Sequence, residues 1–202
     1  MGRAGRHVRA LALVIGACAL SACTVSTTTD SQDQSSLDQV PVNLLHDRGG
    51  AARAVAAIEK EVGAAPARAG RVLIYPEYLD MEAQDPKIPE HIDEYEWRDG
   101  SVSGPDPVHL SGPQEDVAAS LFPTSAVRWR DVPTLVREVE ARARHAQPTR
   151  IEAAPASYLI VERSTSSTDD GRVKIMVYLE GPRRSGYAEL TSSGEIVQLT
   201  VS

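Results

Sequence analysis

The chain has 202 residues, a formal net charge of −7, and only one Phe, two Trp and six Tyr as its aromatic residues. That length allows one domain with a real core, or two small units sharing a sheet. The acidic balance argues against a nucleic-acid partner, which would call for a basic surface. Both cysteines, Cys18 and Cys23, lie at the N-terminal end, so the folded part has no disulfide and depends on an ordinary core.

Residues 1–10 carry Arg3, Arg6 and Arg9 and no acid, and residues 11–20 are uncharged and mostly apolar. This is the positive n-region and short h-region of a secretory leader. A run of ten is too short for a membrane span, which needs roughly 17–25 apolar residues. The h-region ends in "LSAC", Leu20 to Cys23. These residues resemble the lipobox of bacterial lipoproteins. The resemblance implies a leader over residues 1–22, cleavage between Ala22 and Cys23, and a diacylglyceryl group on the Cys23 thiol. An ordinary cleaved leader would instead leave Cys23 as a lone thiol in an oxidising compartment. One acyl chain attaches a protein only marginally, whereas two hold it on the membrane. The expected location is therefore the extracytoplasmic face of the cell membrane. Loss of the three leader arginines takes the net charge from −7 to −10.

Residues 24–39, "TVSTTTDSQDQSSLDQ", are nearly all Ser, Thr, Gln and Asp. They bury too little apolar area to offset their ordering entropy. The lipidated cysteine and tether thus occupy residues 23–41, and the tether holds the domain about 20–25 Å from the bilayer. The domain itself spans residues 42–202. Val55, Ile58 and Val62 at helical spacing predict a first helix, with Asp47 as its N-cap and Gly63 as its stop. Residues 71–81 read as one strand, with Pro76 marking an edge or bulge. Residues 91–97 read as a second strand, placing Asp93, Tyr95 and Trp97 on one face, and Asp99-Gly100 is a two-residue hairpin turn. A third strand is expected at 108–110.

The order then restarts. Residues 111–122 read as a short helix. Asp131, Pro133 and the stripe Val132, Leu135, Val136, Val139 and Ala143 predict a longer one. Strands follow at 158–163 and 173–179, the latter with Val173, Ile175, Val177 and Leu179 inward. A terminal hairpin turns at "TSSG" and puts Val197, Leu199 and Val201 on one face. The expected fold class is α+β, an antiparallel sheet covered on one face by helices, with two α-β-β-β repeats over 46–112 and 113–202. "YEWRDGSV" from Tyr95 and "YAELTSSGEIV" from Tyr187 are the echo that suggests duplication. Tandem helix-plus-strands units with such hairpins resemble PepSY-like domains and the β-lactamase inhibitor protein. That resemblance implies a binding or regulatory module of the cell envelope.

No catalytic constellation stands out. No serine sits in G-x-S-x-G or S-x-x-K, and no glycine-rich phosphate loop follows a strand. His91 and Asp93 lack a third ligand, so neither a metal nor another cofactor is expected. The acidic run from Asp80 to Glu96 reads as a charged edge that blocks strand-to-strand aggregation. Core packing is the default reading for Tyr95, Trp97 and Trp129, and the sharper alternative makes Tyr95 and Trp97, with Asp93 and Glu94, the candidate partner contacts. The expected function is a non-enzymatic, lipid-anchored module that binds an envelope protein or peptide. The alternative is a carrier of lipid or another hydrophobic ligand, which needs an apolar cavity.

The anchor is testable by intact-mass measurement. The mature chain should begin at Cys23 with diacylglyceryl mass added, and Cys23→Ala should lose its association with membranes. A free amine at any other first residue contradicts the reading.

Overall fold

A computed structural model describes residues 42–110, 114–146, 154–164 and 171–202, with backbone only at 114–116. The expected leader, the expected lipidation site Cys23 and the expected tether lie outside these residues. The first helix, α1 (Gly50–Val62), turns Ala54, Val55, Ile58 and Val62 inward. Gly63 ends it in the left-handed region at φ 78°, its N–H donating to the Glu59 carbonyl, as a C-terminal glycine does without steric cost. The expected Asp47 cap is corrected to Gly49. Asp47 is otherwise engaged, because its carboxylate accepts the Asn43 N–H at 2.7 Å.

Four strands follow: β1 (Arg68–Ile74), β2 (Tyr78–Gln84), β3 (Ile92–Arg98) and β4 (Ser101–Pro107). The segment expected as one strand is a hairpin of two. Pro76 sits in its turn, where its missing N–H costs nothing, and Tyr75 N–H donates to the Tyr78 carbonyl at 2.9 Å. The β3–β4 hairpin turns at Asp99 (φ 50°) and Gly100 (φ 84°), the left-handed pair that an Asp-Gly turn supplies. The strand expected at 108–110 lies earlier, at β4, because this tight turn starts the return at Ser101.

A crossover carries α2 (Gln114–Ser120), the two-residue β5 (Phe122–Pro123), two short 3-10 turns and α3 (Val132–Ala146). Val132, Pro133, Val136, Val139 and Ala143 of α3 are buried. The chain then forms β6 (Ala156–Arg163), β7 (Val173–Gly181), β8 (Arg184–Thr191) and β9 (Ile196–Val201). All pairings are antiparallel, in the order β4-β3-β2-β1-β6-β7-β8-β9, with β5 against the start of β1. The centre of the sheet is the β1–β6 pair, where Val72 opposes Val161 and Ile74 opposes Leu159.

Strand alternation gives the sheet two chemically different faces. On the inner face Val72, Leu79, Met81, Leu159, Val161, Ile175 and Val177 are fully buried, in one cluster with the inward residues of both helices. Helix α1 packs on β2 and β3, and α3 packs on β7 and β9. Each such aliphatic side chain contributes about 1.5–3 kcal/mol by leaving water. The expected grouping of Val197 with Leu199 and Val201 does not hold. A bulge lets Ile196 oppose Leu190 and Gln198 oppose Glu189, which leaves Val197 turned out and 63% exposed.

Phe122, the sole phenylalanine, is fully buried where β5 meets β1. Beside it Thr124 is buried, its hydroxyl donating to Glu59 Oε1 while its carbonyl accepts Trp129 Nε1–H at 2.8 Å. This joins the crossover to α1 with its polar atoms satisfied. Phe122→Ala should lower the unfolding free energy by about 3–5 kcal/mol in urea denaturation. A loss below about 1 kcal/mol would contradict its place in the core.

Candidate functional site

The outer face of the sheet is organised in three rows by the strand register. In the first, Tyr78, Tyr75, Tyr158, Tyr178 and Tyr187 stand side by side, five of the six tyrosines in the chain. Successive ring centroids are 4.6, 5.3, 4.4 and 6.3 Å apart, and the first and third pairs are stacked. The spacing follows from the sheet, since neighbouring strands lie about 4.8 Å apart. Tyr158 opposes Tyr178 and Tyr178 opposes Tyr187 in register. Tyr75 and Tyr158 meet across the central β1–β6 pair, one step beyond Ile74 and Leu159. Arg98 caps one end with its guanidinium carbon 4.3 Å from the Tyr78 ring centroid, a cation–π geometry. Gln198 Nε2 donates to the Tyr187 hydroxyl at 3.2 Å at the other end.

The second row runs Glu96, Asp80, Leu73, Ile160, Met176 and Glu189 from strand to strand. Its middle is apolar and half-buried, and its ends are acidic. The third row is charged: Glu94, Glu82, Arg71, Glu162 and Lys174. Arg71 bridges to Glu82 at 2.6 Å and Lys174 to Glu162 at 3.5 Å. The face thus presents an aromatic band, an apolar strip and an ion-paired border in parallel.

Partial burial raises several titratable groups here. Burial first, then Glu94 and then Glu96, pushes Asp80 up to about 6 from 3.8. Burial likewise raises Glu82, with Arg71 opposing it. The Tyr78 hydroxyl is raised by burial and then by Tyr75, and the Tyr158 hydroxyl by burial and then by Tyr178. Burial therefore favours the neutral, hydrogen-bonding form of Tyr78 and Tyr158.

The four candidate contacts separate by strand alternation. Tyr95 and Trp97 are only 8% and 7% exposed and belong to the inner cluster. This agrees with core packing, the default reading, and corrects the alternative that they meet a partner, because Tyr95 opposes Met81 and Trp97 opposes Leu79 on the helix-bearing face. Asp93, opposite Ala83, is half-buried on that same face. Only Glu94 reaches the outer face, opposite Glu82. Trp129 is also buried. Sequence reasoning did not single out the tyrosine row. Its one local signal is that Tyr178 alternates with inward Val177 and Leu179.

Among the described residues no three His, Cys, Asp or Glu side chains converge in a way that could hold a metal ion. No described helix is long and apolar enough to cross a membrane. No family model and no curated protein matches the chain. A crystal structure of a candidate lipoprotein from Clostridium difficile 630 is similar in fold, with a TM-score of 0.51 at 9% identity, covering 80% of this chain and 94% of that one. At that identity the likeness speaks to the fold, a large antiparallel sheet with helices.

Asp80 makes the face pH-sensitive in stability. The folded protein holds this proton up to about pH 6, whereas an unfolded chain releases it near 3.8. Its contribution is therefore complete below the unfolded value and is lost as pH rises through the folded one. At pH 7 the ionised group faces Glu94 and Glu96 and opposes folding. Asp80→Asn should stabilise the domain by on the order of 1 kcal/mol at neutral pH after solvent screening, with the gain gone by about pH 4. Urea titrations across that range check the sign; a variant less stable at neutral pH overturns it.

Proposed function

We propose that the protein is a lipid-anchored, non-enzymatic module of the cell envelope that binds a protein or peptide partner on the outer face of its sheet. The observation that carries this reading is the row of five tyrosines spanning β2 to β8. Tyrosine is a favoured interface residue because it offers a large rigid surface, loses little rotamer entropy and keeps a polar tip for a partner. The flanking apolar strip and ion-paired border match the layout of an interface, with an apolar centre and a polar rim. The inner face supports a binding surface rather than a carrier. Leu79, Met81, Leu159, Ile175 and Leu179 are 0–1% exposed against the helices and fill the space that a hydrophobic ligand would need.

The lipobox supports attachment at Cys23 through diacylglycerol and a location on the extracytoplasmic face of the membrane. The sheet order supports duplication. Apart from α2 and β5 of the crossover, each half supplies one helix followed by four antiparallel strands, and the two sets of strands run outward from the shared β1–β6 pair. The two halves are copies of one α-β-β-β-β unit, longer by one strand than the sequence suggests for the first. The binding face is then assembled from both, with Tyr75 and Tyr78 from one copy and Tyr158, Tyr178 and Tyr187 from the other.

The test is chemical crosslinking of the anchored mature protein in native membranes. The wild type should capture a discrete partner, and Tyr158→Ala with Tyr178→Ala should lose it, since central aromatic anchors cost about 2 kcal/mol or more each. Arg142→Ala on α3, paired with Glu138 away from this face, should capture normally. Undiminished capture by the double tyrosine variant would sink the proposal.

A further inference from the structure

A second concentration of chemistry lies on the outer side of the helices. Arg48, Arg53, Arg130 and Arg137 line one cleft of about 680 Å³ between the beginnings of α1 and α3. Elsewhere Arg71, Arg98, Arg128 and Arg142 each hold a carboxylate. The four cleft arginines have no carboxylate partner among the described residues. Arg53 donates to the Arg48 carbonyl at 3.3 Å and Arg137 to the Thr134 hydroxyl at 3.4 Å, both neutral acceptors. Asp131, the one acid in the lining, is held by Arg128 at 3.2 Å.

The backbone adds to the positive field. Helix N-termini carry roughly half a positive charge and ordinarily recruit acids in the first turn. Neither α1 nor α3 has an acid there, and Gly49 gives α1 no side-chain cap. Four guanidinium groups without a carboxylate partner line one opening, and the one acid there, Asp131 directly before α3, is already engaged by Arg128. An anion in the cleft would supply the countercharge that they lack. The guanidinium fork matches phosphate oxygens in pairs, so the cleft suits phosphate better than a single point charge. Its volume lies within the range of about 300–1,000 Å³ usual for ligand sites and exceeds the needs of one phosphate.

We infer that this cleft binds a ligand bearing two or more phosphate groups. The site is on the opposite side of the domain from the tyrosine row and does not depend on the partner-binding reading, so either can fail alone. The probe is inorganic tripolyphosphate, titrated calorimetrically into the lipidated mature protein in neutral detergent. One saturable site per chain is expected, weakening as salt is raised. Arg53→Gln and Arg137→Gln should each reduce affinity about tenfold, without changing the melting temperature of the ligand-free protein. Arg142→Gln and Tyr158→Ala should bind as the wild type does. Repeating the titration in nanodiscs separates the sources of phosphate. Binding blocked in cardiolipin discs, whose headgroup carries two phosphates, but present in phosphatidylcholine discs assigns the site to a lipid headgroup, and binding equal in both assigns it to a soluble or polymeric phosphate. No saturable binding at millimolar tripolyphosphate, or equal affinity in wild type and arginine variants, overturns the inference.

Discussion

The antiparallel pairing of β1 with β6 is the constraint on which the remaining structure depends. Both strands leave their helices and meet at the middle of the sheet, with Val72 against Val161 and Ile74 against Leu159, all fully buried. Without this pair each half would present a bare strand edge and an unfilled side to its core. With it, the inward residues of α1, α3 and the strands on both sides form one cluster. The partners lie far apart in the chain, so their contact requires closing a long loop. That entropy grows only slowly with loop length, while the non-local topology slows folding more than it lowers stability.

The same pairing divides the labour between two faces. The inner face stabilises the fold with aliphatic side chains at zero exposure. The outer face contributes little of that burial and is free to carry polar and aromatic groups at regular spacing. Its tyrosines become a continuous band only because β1 and β6 are neighbours, since the Tyr75–Tyr158 contact is the link between the two halves. The acidic ends of the second row and the ion pairs of the third surround the apolar middle with charge, which discourages indiscriminate sticking. The local cost is visible at Asp80, where partial burial beside Glu94 and Glu96 holds a proton that an exposed carboxyl would lose.

Much of the architecture was legible in local sequence. Gly63 stops α1, Asp99-Gly100 makes its hairpin, and the alternation of Ile175, Val177 and Leu179 places β7 correctly, because in each case the deciding physics is confined to a few neighbouring residues. The errors share a cause. Pro76 read as an edge or a bulge within one strand, and only the pairing of β1 with β2 puts it in the turn between them. Val197 changed face because a bulge against Leu190 shifted the register by one. Tyr95 and Trp97 stayed open between core and contact because aromatic side chains suit both, and alternation alone does not say which face of a strand meets the helices. The tyrosine row was the least legible feature. It arises from pairing between residues some eighty positions apart, and nothing near Tyr75 announces Tyr158.

Native-state hydrogen exchange of the β1 and β6 amides tests most directly whether one sheet, closed at its centre, carries both the core and the outer face. If the seam unites the halves, Leu73 and Ile160 should exchange only through global unfolding, with equal opening free energies that fall together as denaturant is added. Exchange of one strand through a separate, lower-energy opening while the other stays protected would show two independent units and would contradict the account.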